Sequence, residues 1–150
     1  MIRDLSIASS MTVQPVCVEA DLKLGQAKTK METHKVRQLP VTRYGRLAGV
    51  LTKQNLKLAR ANPFHADLTI AEAMDIDPYI VTPDTSLEEV LRDMLHHKLE
   101  YAVVARNEDY PVGIFTRQDA IQLLLSSPRI NGTAELSLLK PGDDRGAAAA

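Results

Sequence analysis

The sequence predicts a mixed α+β fold made twice from one strand–helix–strand–strand–helix unit. Three observations predict it. First, the chain repeats itself at an offset of 63 residues. Residues 5–43 share 13 identities in 39 positions with residues 68–106, among them Leu5/Leu68, Ile7/Ile70, Met11/Met74, Leu24/Leu87 and His34-Lys35/His97-Lys98. One inserted residue then moves the offset to 64 and aligns Gly49, Thr52 and Gln54 with Gly113, Thr116 and Gln118. A repeat of this length is one supersecondary unit made twice, each copy covering what the other leaves exposed. Second, apolar runs of strand length alternate with segments of helical period. Third, turn-forming residues separate those segments at matching places in both copies.

The elements follow in order. In copy one, Val16-Cys17-Val18 reads as a strand, and a helix runs from about Leu22 to His34. Leu39-Pro40-Val41-Thr42 is the next strand, Tyr44-Gly45 a turn, and Leu47 to Leu51 a further strand. Thr52 then opens a second helix. Asn62-Pro63-Phe64 breaks the chain between copies. In copy two, Tyr79-Ile80-Val81 reads as a strand, and Ser86 with Glu89 three residues on marks a helix start of capping-box type. Leu87, Val90, Leu91, Met94 and Leu95 form one apolar helical stripe. Tyr101 to Ala105 reads as a buried strand, Asn107 to Asp109 as a turn, Pro111 to Phe115 as a strand, and Thr116 opens the last helix, through Leu125. The expected boundaries are residues 1–62 for repeat one and 63–126 for repeat two. Residues 127–150, rich in Gly, Pro, Asp and Ala apart from an apolar interruption at Leu136 to Leu139, are expected to form a mostly mobile tail.

Composition narrows the function. Hydrophobic residues make up 45% and charged residues 25%, which suits a soluble globular chain. The single cysteine, Cys17, rules out an internal disulfide and a Cys-cluster zinc site. No apolar run approaches the roughly 18 residues that a membrane span needs, and Asp4 stands where a signal peptide would begin its apolar stretch. A cytoplasmic location is therefore expected, with no membrane partner. The net charge of -1 argues against coating nucleic acid by bulk charge. His96 and His97 are adjacent and point to different helix faces, so no metal site is expected. No nucleophile–base set, Walker loop or paired catalytic carboxylates occur, and no enzyme activity is expected.

Both copies end on one pattern: Gly49-Val50-Leu51-Thr52-Lys53-Gln54-Asn55 and Gly113-Ile114-Phe115-Thr116-Arg117-Gln118-Asp119. Each is also preceded by a similar leader, Ile7-Ala8-Ser9-Ser10-Met11 and Ile70-Ala71-Glu72-Ala73-Met74. With these strings twice and in register, residues 5–125 resemble a tandem pair of CBS domains. The resemblance implies two β-α-β-β-α repeats packed as a pseudo-two-fold pair, and a stand-alone regulatory module. It implies binding of an adenosine ligand (AMP, ADP or ATP, or S-adenosylmethionine) in clefts between the repeats. Sensing of energy state, signalling to a regulated partner protein and dimerisation into a disk would follow. Two rival functions stand beside it: a protein–protein dimerisation scaffold with empty clefts, and a nucleic-acid-associated regulator using the basic first repeat.

Thr116 and Asp119 carry the site on chemical grounds. A carboxylate accepts hydrogen bonds from both adjacent hydroxyls of a ribose, and charge-assisted bonds are about twice as strong as neutral ones. A Thr one helical turn earlier holds a second ligand oxygen. Thr-x-x-Asp at a helix start is also nearly a capping box, and the two roles are compatible. Gly113 lets ligand or neighbouring backbone approach closely. Arg117 and Lys53 follow the two Thr residues, within reach of phosphates, or stand as solvated cations. In copy one, Thr52 is kept but Asn55 replaces the acid, so the weaker ribose site is expected there and Asn55→Asp is expected to strengthen it. Pro40 fits the adenine-pocket proline of the resembled family, whereas copy two has Val103 at that place. His34 and His97 suit helix C-termini, where cations meet the dipole. Cys17 reads as a buried inert thiol.

Charge divides the copies. Residues 1–62 hold 11 Lys/Arg against four Asp/Glu, and residues 63–125 hold four against twelve, giving about +7 and -8. A homodimer is expected, with head-to-tail pairing favoured because it sets basic beside acidic halves.

Overall fold

The computed structural model describes residues 4–107 and 110–126. The expected tail and residues Glu108 and Asp109 of the expected turn lie outside the described residues. In chain order the elements are β1 (Thr12–Val13), β2 (Val18–Glu19), α1 (Leu24–His34), β3 (Gln38–Arg43), β4 (Arg46–Thr52) and α2 (Lys53–Ala59). They continue as α3 (Ile70–Ala73), β5 (Ile80–Val81), α4 (Leu87–His96), β6 (Tyr101–Val104), β7 (Gly113–Thr116) and α5 (Arg117–Ser126). The mixed α+β class and the repeated element order are therefore those of the sequence reading.

Two compact units divide the chain. The copy-one unit comprises residues 13–78 and 105–112. Its sheet has the order β2-β3-β4, with β2 parallel to β3 and β3 antiparallel to β4. The β3–β4 hairpin turns through Tyr44 (φ 54°) and Gly45 (φ 76°), and Arg43 pairs with Arg46 across its mouth. Two consecutive positive φ values match the right-handed strand twist and allow a two-residue loop. Leu24, Ala27 and Met31 of α1 pack with Leu39, Val41 and Leu51 to form this unit's core.

The copy-two unit comprises residues 4–12, 79–104 and 113–126. Its sheet has the order β1-β7-β6-β5, with β5 parallel to β6 and β6 antiparallel to β7. Every residue of β6 is buried. Four of the five residues of the stripe read from sequence form the buried face of α4, where Leu87, Val90, Leu91 and Met94 meet Ala102, Val104 and Phe115, while Leu95 is half-buried. Ser86 caps α4, its Oγ accepting the Glu89 N–H at 3.0 Å.

The two leaders exchange units, which the repeat alone does not reveal. Ile7 is completely buried in the copy-two core, and its N–H donates to the Thr85 carbonyl at 2.7 Å. The Leu87 N–H, at the start of α4, donates to the Leu5 carbonyl at 2.8 Å. The same pattern recurs in the copy-one unit. Ile70 is completely buried in that core, its N–H donates to the Leu22 carbonyl at 2.8 Å, and the Leu24 N–H donates to the Leu68 carbonyl at 3.1 Å. Each leader thus occupies one apolar socket and satisfies a helix-start amide that would otherwise lack an acceptor. This also explains why α1 begins at Leu24 rather than Leu22: the Leu22 carbonyl is engaged by the leader, and Lys23 stays extended at ψ 153°.

Both first helices end as the His-Lys repeat predicts. His34 is the last residue of α1 and His97 the C-cap of α4. Lys35 and Lys98 follow in the left-handed region, at φ 56° and 55°.

Candidate functional site

Each unit presents one strand-to-helix junction, and the two share their local geometry. In the copy-two unit β7 runs into α5 through Thr116. Thr116 Oγ1 accepts the Asp119 N–H at 3.1 Å, and Asp119 Oδ2 accepts the Thr116 N–H at 2.9 Å. In the copy-one unit Thr52 Oγ1 accepts the Asn55 N–H at 3.0 Å, and Asn55 Oδ1 accepts the Thr52 N–H at 2.8 Å. Thr52, Asn55, Thr116 and Asp119 are all half-buried. The capping role weighed from sequence is present at both junctions. It uses only one terminal atom of each side chain: Asp119 keeps its second oxygen, and Asn55 keeps its amide nitrogen.

The residues after the two Thr are matched as well. The Lys53 N–H donates to the Arg37 carbonyl at 2.9 Å, and the Arg117 N–H donates to the Glu100 carbonyl at 3.0 Å. The first-turn amides of Lys53 and Asn55, and of Arg117 and Asp119, are therefore engaged within the protein. This leaves less of the helix-start dipole for an anion than a bare junction offers. The side chains differ in electrostatics. Arg117 Nη1 lies 3.8 Å from Glu100 Oε2, with both side chains more than half exposed. Such a surface pair is worth little and is readily exchanged for a stronger anion. In the copy-one unit Arg37 stands at the position of Glu100, so two cationic residues, Arg37 and Lys53, adjoin the junction.

Gly49 and Gly113 are explained by packing. A Cβ on Gly49 would stand 2.5 Å from the Asp75 carbonyl oxygen and 2.7 Å from Met74 Sδ. A Cβ on Gly113 would collide with Met11 Sδ and Cγ. Met11 and Met74 are the matched last residues of the two leaders. Of the two reasons considered for Gly113, close approach of the protein itself is the one observed. Pro40 is buried in β3 opposite Val50, at the position where β6 carries Val103 opposite Ile114.

One residue at the copy-one junction has no precedent in the sequence reading. Asn55 Nδ2 donates to Asp75 Oδ1 at 3.2 Å. Asp75 is held in place by its backbone, which exchanges hydrogen bonds with Val50 (Asp75 N–H to Val50 carbonyl 2.8 Å, Val50 N–H to Asp75 carbonyl 3.1 Å). Its sequence signal was weak, because the repeat aligns Asp75 with Thr12 and no pattern marks the position.

A groove of about 830 Å³ also opens in the copy-one unit. Lys23, Lys28, Arg60 and His65 line it with Leu24 and Leu56. It concentrates part of the basic charge read from the first repeat.

Cys17 is half-buried rather than buried, and it lies just before β2 rather than within a strand. Its Sγ donates to the Pro15 carbonyl at 3.4 Å, and burial, only partly offset by a hydrogen bond from Tyr110, pushes the thiol above its ordinary pKa. A thiol so placed is a poor nucleophile. His96 and His97 stack edge-to-face at 4.9 Å, and among the described residues no group of three His, Cys, Asp or Glu gathers to hold a metal. Among the described residues no helix is long and apolar enough to cross a membrane.

Comparison with known proteins gives this geometry a context. The family model described as "CBS domain" matches residues 2–62 and 66–126. A curated relative, the CBS domain-containing protein YhcV of Bacillus subtilis, is 27% identical over 95 residues, covering 63% of this chain and 68% of that protein. YlbB of Bacillus subtilis is 30% identical over 71 residues, and the match spans 48% of its length. Among solved structures, AcuB from Vibrio cholerae superposes with a TM-score of 0.75 at 25% identity, covering 81% of this chain and 90% of that one. The CBS domain pair of protein MJ0100, solved with 5′-methylthioadenosine and S-adenosyl-L-methionine, gives a TM-score of 0.72 at 21% identity, covering 79% and 94%. CBSX2, solved with AMP, gives 0.72 at 22%, covering 81% and 96%.

Proposed function

We propose that this chain, which belongs to the CBS-domain family, is a regulatory module that binds an adenosine ligand and passes its bound state to a partner protein. Proteins of this family are regulatory modules rather than catalysts. The observation that carries the reading is the duplicated junction: twice, a Thr and the polar residue three positions on cap each other, while the second terminal atom of the polar side chain takes no part in the cap. At Asp119 that atom is a carboxylate oxygen suited to a ribose hydroxyl. Structures of the same fold solved with AMP, and with S-adenosyl-L-methionine and 5′-methylthioadenosine, support the ligand class. Thr116, Asp119 and Arg117 form the binding set in copy two. Thr52, Asn55 and Lys53 form it in copy one, with Pro40 on the neighbouring strand and Gly113 giving β7 its close packing.

A thermal-shift panel of AMP, ADP, ATP, NAD(H) and S-adenosylmethionine tests this reading. A ligand at 100 times its Kd stabilises by about 2.7 kcal/mol, or roughly 5–11 °C for a chain of this size. No shift with any of them removes the reading and favours the scaffold with empty clefts.

The same reading includes a head-to-tail homodimer. The basic groove of the copy-one unit and the excess of acidic residues after position 62 support that orientation. Cross-linking mass spectrometry at low salt checks it: intermolecular links confined to copy one with copy one would refute head-to-tail pairing.

A further inference from the structure

We propose that Asp75 supplies the carboxylate of the copy-one junction, the role Asp119 fills in copy two. The inference rests on the adenosine-ligand reading above. At both junctions one terminal oxygen of residue 55 or 119 accepts the N–H of the preceding Thr. In copy two the remaining atom is a carboxylate oxygen. In copy one it is the amide nitrogen Nδ2, and 3.2 Å beyond it stands Asp75 Oδ1. The amide orientation follows from its partners: Oδ1 faces a donor, the Thr52 N–H, and Nδ2 faces an acceptor, the Asp75 carboxylate. The repeat alignment completes the pattern. Asp75 corresponds to Thr12 and Asn55 to Asp119, so each pair of aligned positions holds one carboxylate and one neutral polar residue, with their places exchanged.

The exchange explains Asn55 in chemical terms. An acid at both positions would put two carboxylates about one hydrogen bond apart, and such a pair cannot both ionise near neutral pH. With Asn55 in place no such pair arises, and the position of Asp75 is fixed by the backbone bridge to Val50, two residues before Thr52. A carboxylate has roughly four acceptor sites; the Asn55 amide takes one, and a ligand hydroxyl would take another. The second N–H of Asn55 can donate to that same hydroxyl. The copy-one junction is thereby suited to a hydroxyl that both donates and accepts, as those of ribose do. This revises the expectation that Asn55→Asp strengthens the site: the change adds a second acid beside Asp75 and is expected to weaken it.

Titration calorimetry with AMP, in an Asp119→Ala background that isolates the copy-one junction, tests the proposal. Adding Asp75→Asn should weaken AMP about tenfold or more, the usual consequence of losing a hydrogen bond to a charged group. The same change should leave the affinity for 2′,3′-dideoxy-AMP within about twofold, since that analogue lacks the hydroxyls and a merely structural role would weaken both ligands alike. Asn55→Asp with Asp75→Asn, which moves the carboxylate to the helix, should restore AMP to within about threefold of the background. Asp75→Asn binding AMP as tightly as the background, equal losses for the two ligands, or an absence of AMP binding in the Asp119→Ala background would each overturn the assignment. If the unsubstituted chain binds none of AMP, ATP and S-adenosylmethionine, the functional reading itself fails and this assignment falls with it.

Discussion

Truncating Ile7 to Ala should loosen the second repeat, although Ile7 lies at the start of the first. Ile7 is completely buried among Val81, Leu87, Val90, Leu91 and Phe115. Removing most of a fully buried Ile side chain costs about 2–5 kcal/mol, made up of lost transfer free energy and the cavity left behind. Taking about 3 kcal/mol, a chain of this length should melt roughly 6–12 °C lower. The location of the effect is more diagnostic than its size. The leader's backbone is bonded to Thr85 and Leu87, so hydrogen exchange should accelerate in α4 and β6. Exchange in α1 should change little, because its start is bonded to Leu68 and its core socket is filled by Ile70. Hydrogen-exchange mass spectrometry resolves the two helices. Acceleration in α1 with α4 unchanged would refute the exchange of leaders.

Three further outcomes follow from the same geometry. Asp119→Ala removes both the cap and the carboxylate, and should cost about 1 kcal/mol of stability as well as about tenfold or more in ligand affinity; Asp119→Asn, which keeps an oxygen for the Thr116 N–H, should retain stability in urea titrations while still losing affinity. Lys98→Gly should stabilise by about 0.5–1 kcal/mol, because Lys98 sits at φ 55°, where a side chain is strained and glycine is not; a lower urea midpoint would contradict this. Burial, with a hydrogen bond from its hydroxyl to Asp93 Oδ2 at 2.7 Å, raises the pKa of Tyr79, so the folded state favours the neutral phenol. The stability this provides is complete below the ordinary tyrosine pKa of about 10 and declines as pH rises beyond it, and Tyr79→Phe should flatten that alkaline decline in denaturant titrations between about pH 9 and 11.

Much of the fold was legible in the sequence because the repeat supplies each element twice. The stripe Leu87, Val90, Leu91, Met94 and Leu95 has helical period, and its first four residues form the buried face of α4. Tyr44-Gly45 was legible as a turn, and both residues have the positive φ that a two-residue hairpin demands. The destination of the leaders was hidden. Ile7 and Ile70 occupy equivalent positions in the repeat, so the pattern is the same whether each leader packs on its own copy or on the other. Asp75 was hidden for a related reason. Its part in the junction depends on a bridge to Val50, 25 positions earlier, and periodicity carries no information about pairing at that separation. Thr116 and Asp119 were legible as a pair, but their mutual capping and their remaining hydrogen-bonding capacity only became separable in three dimensions.

The most direct test of the account is a titration of the ¹⁵N-labelled chain with AMP, ATP and S-adenosylmethionine, followed amide by amide in ¹H–¹⁵N correlation spectra. The account predicts saturable shifts, for at least one of the three, that include the amides of Thr116 to Asp119, with Thr52 to Asn55 and Asp75 responding at the copy-one junction. Spectra unchanged at millimolar concentrations of all three, or shifts that leave both junctions untouched, would contradict it.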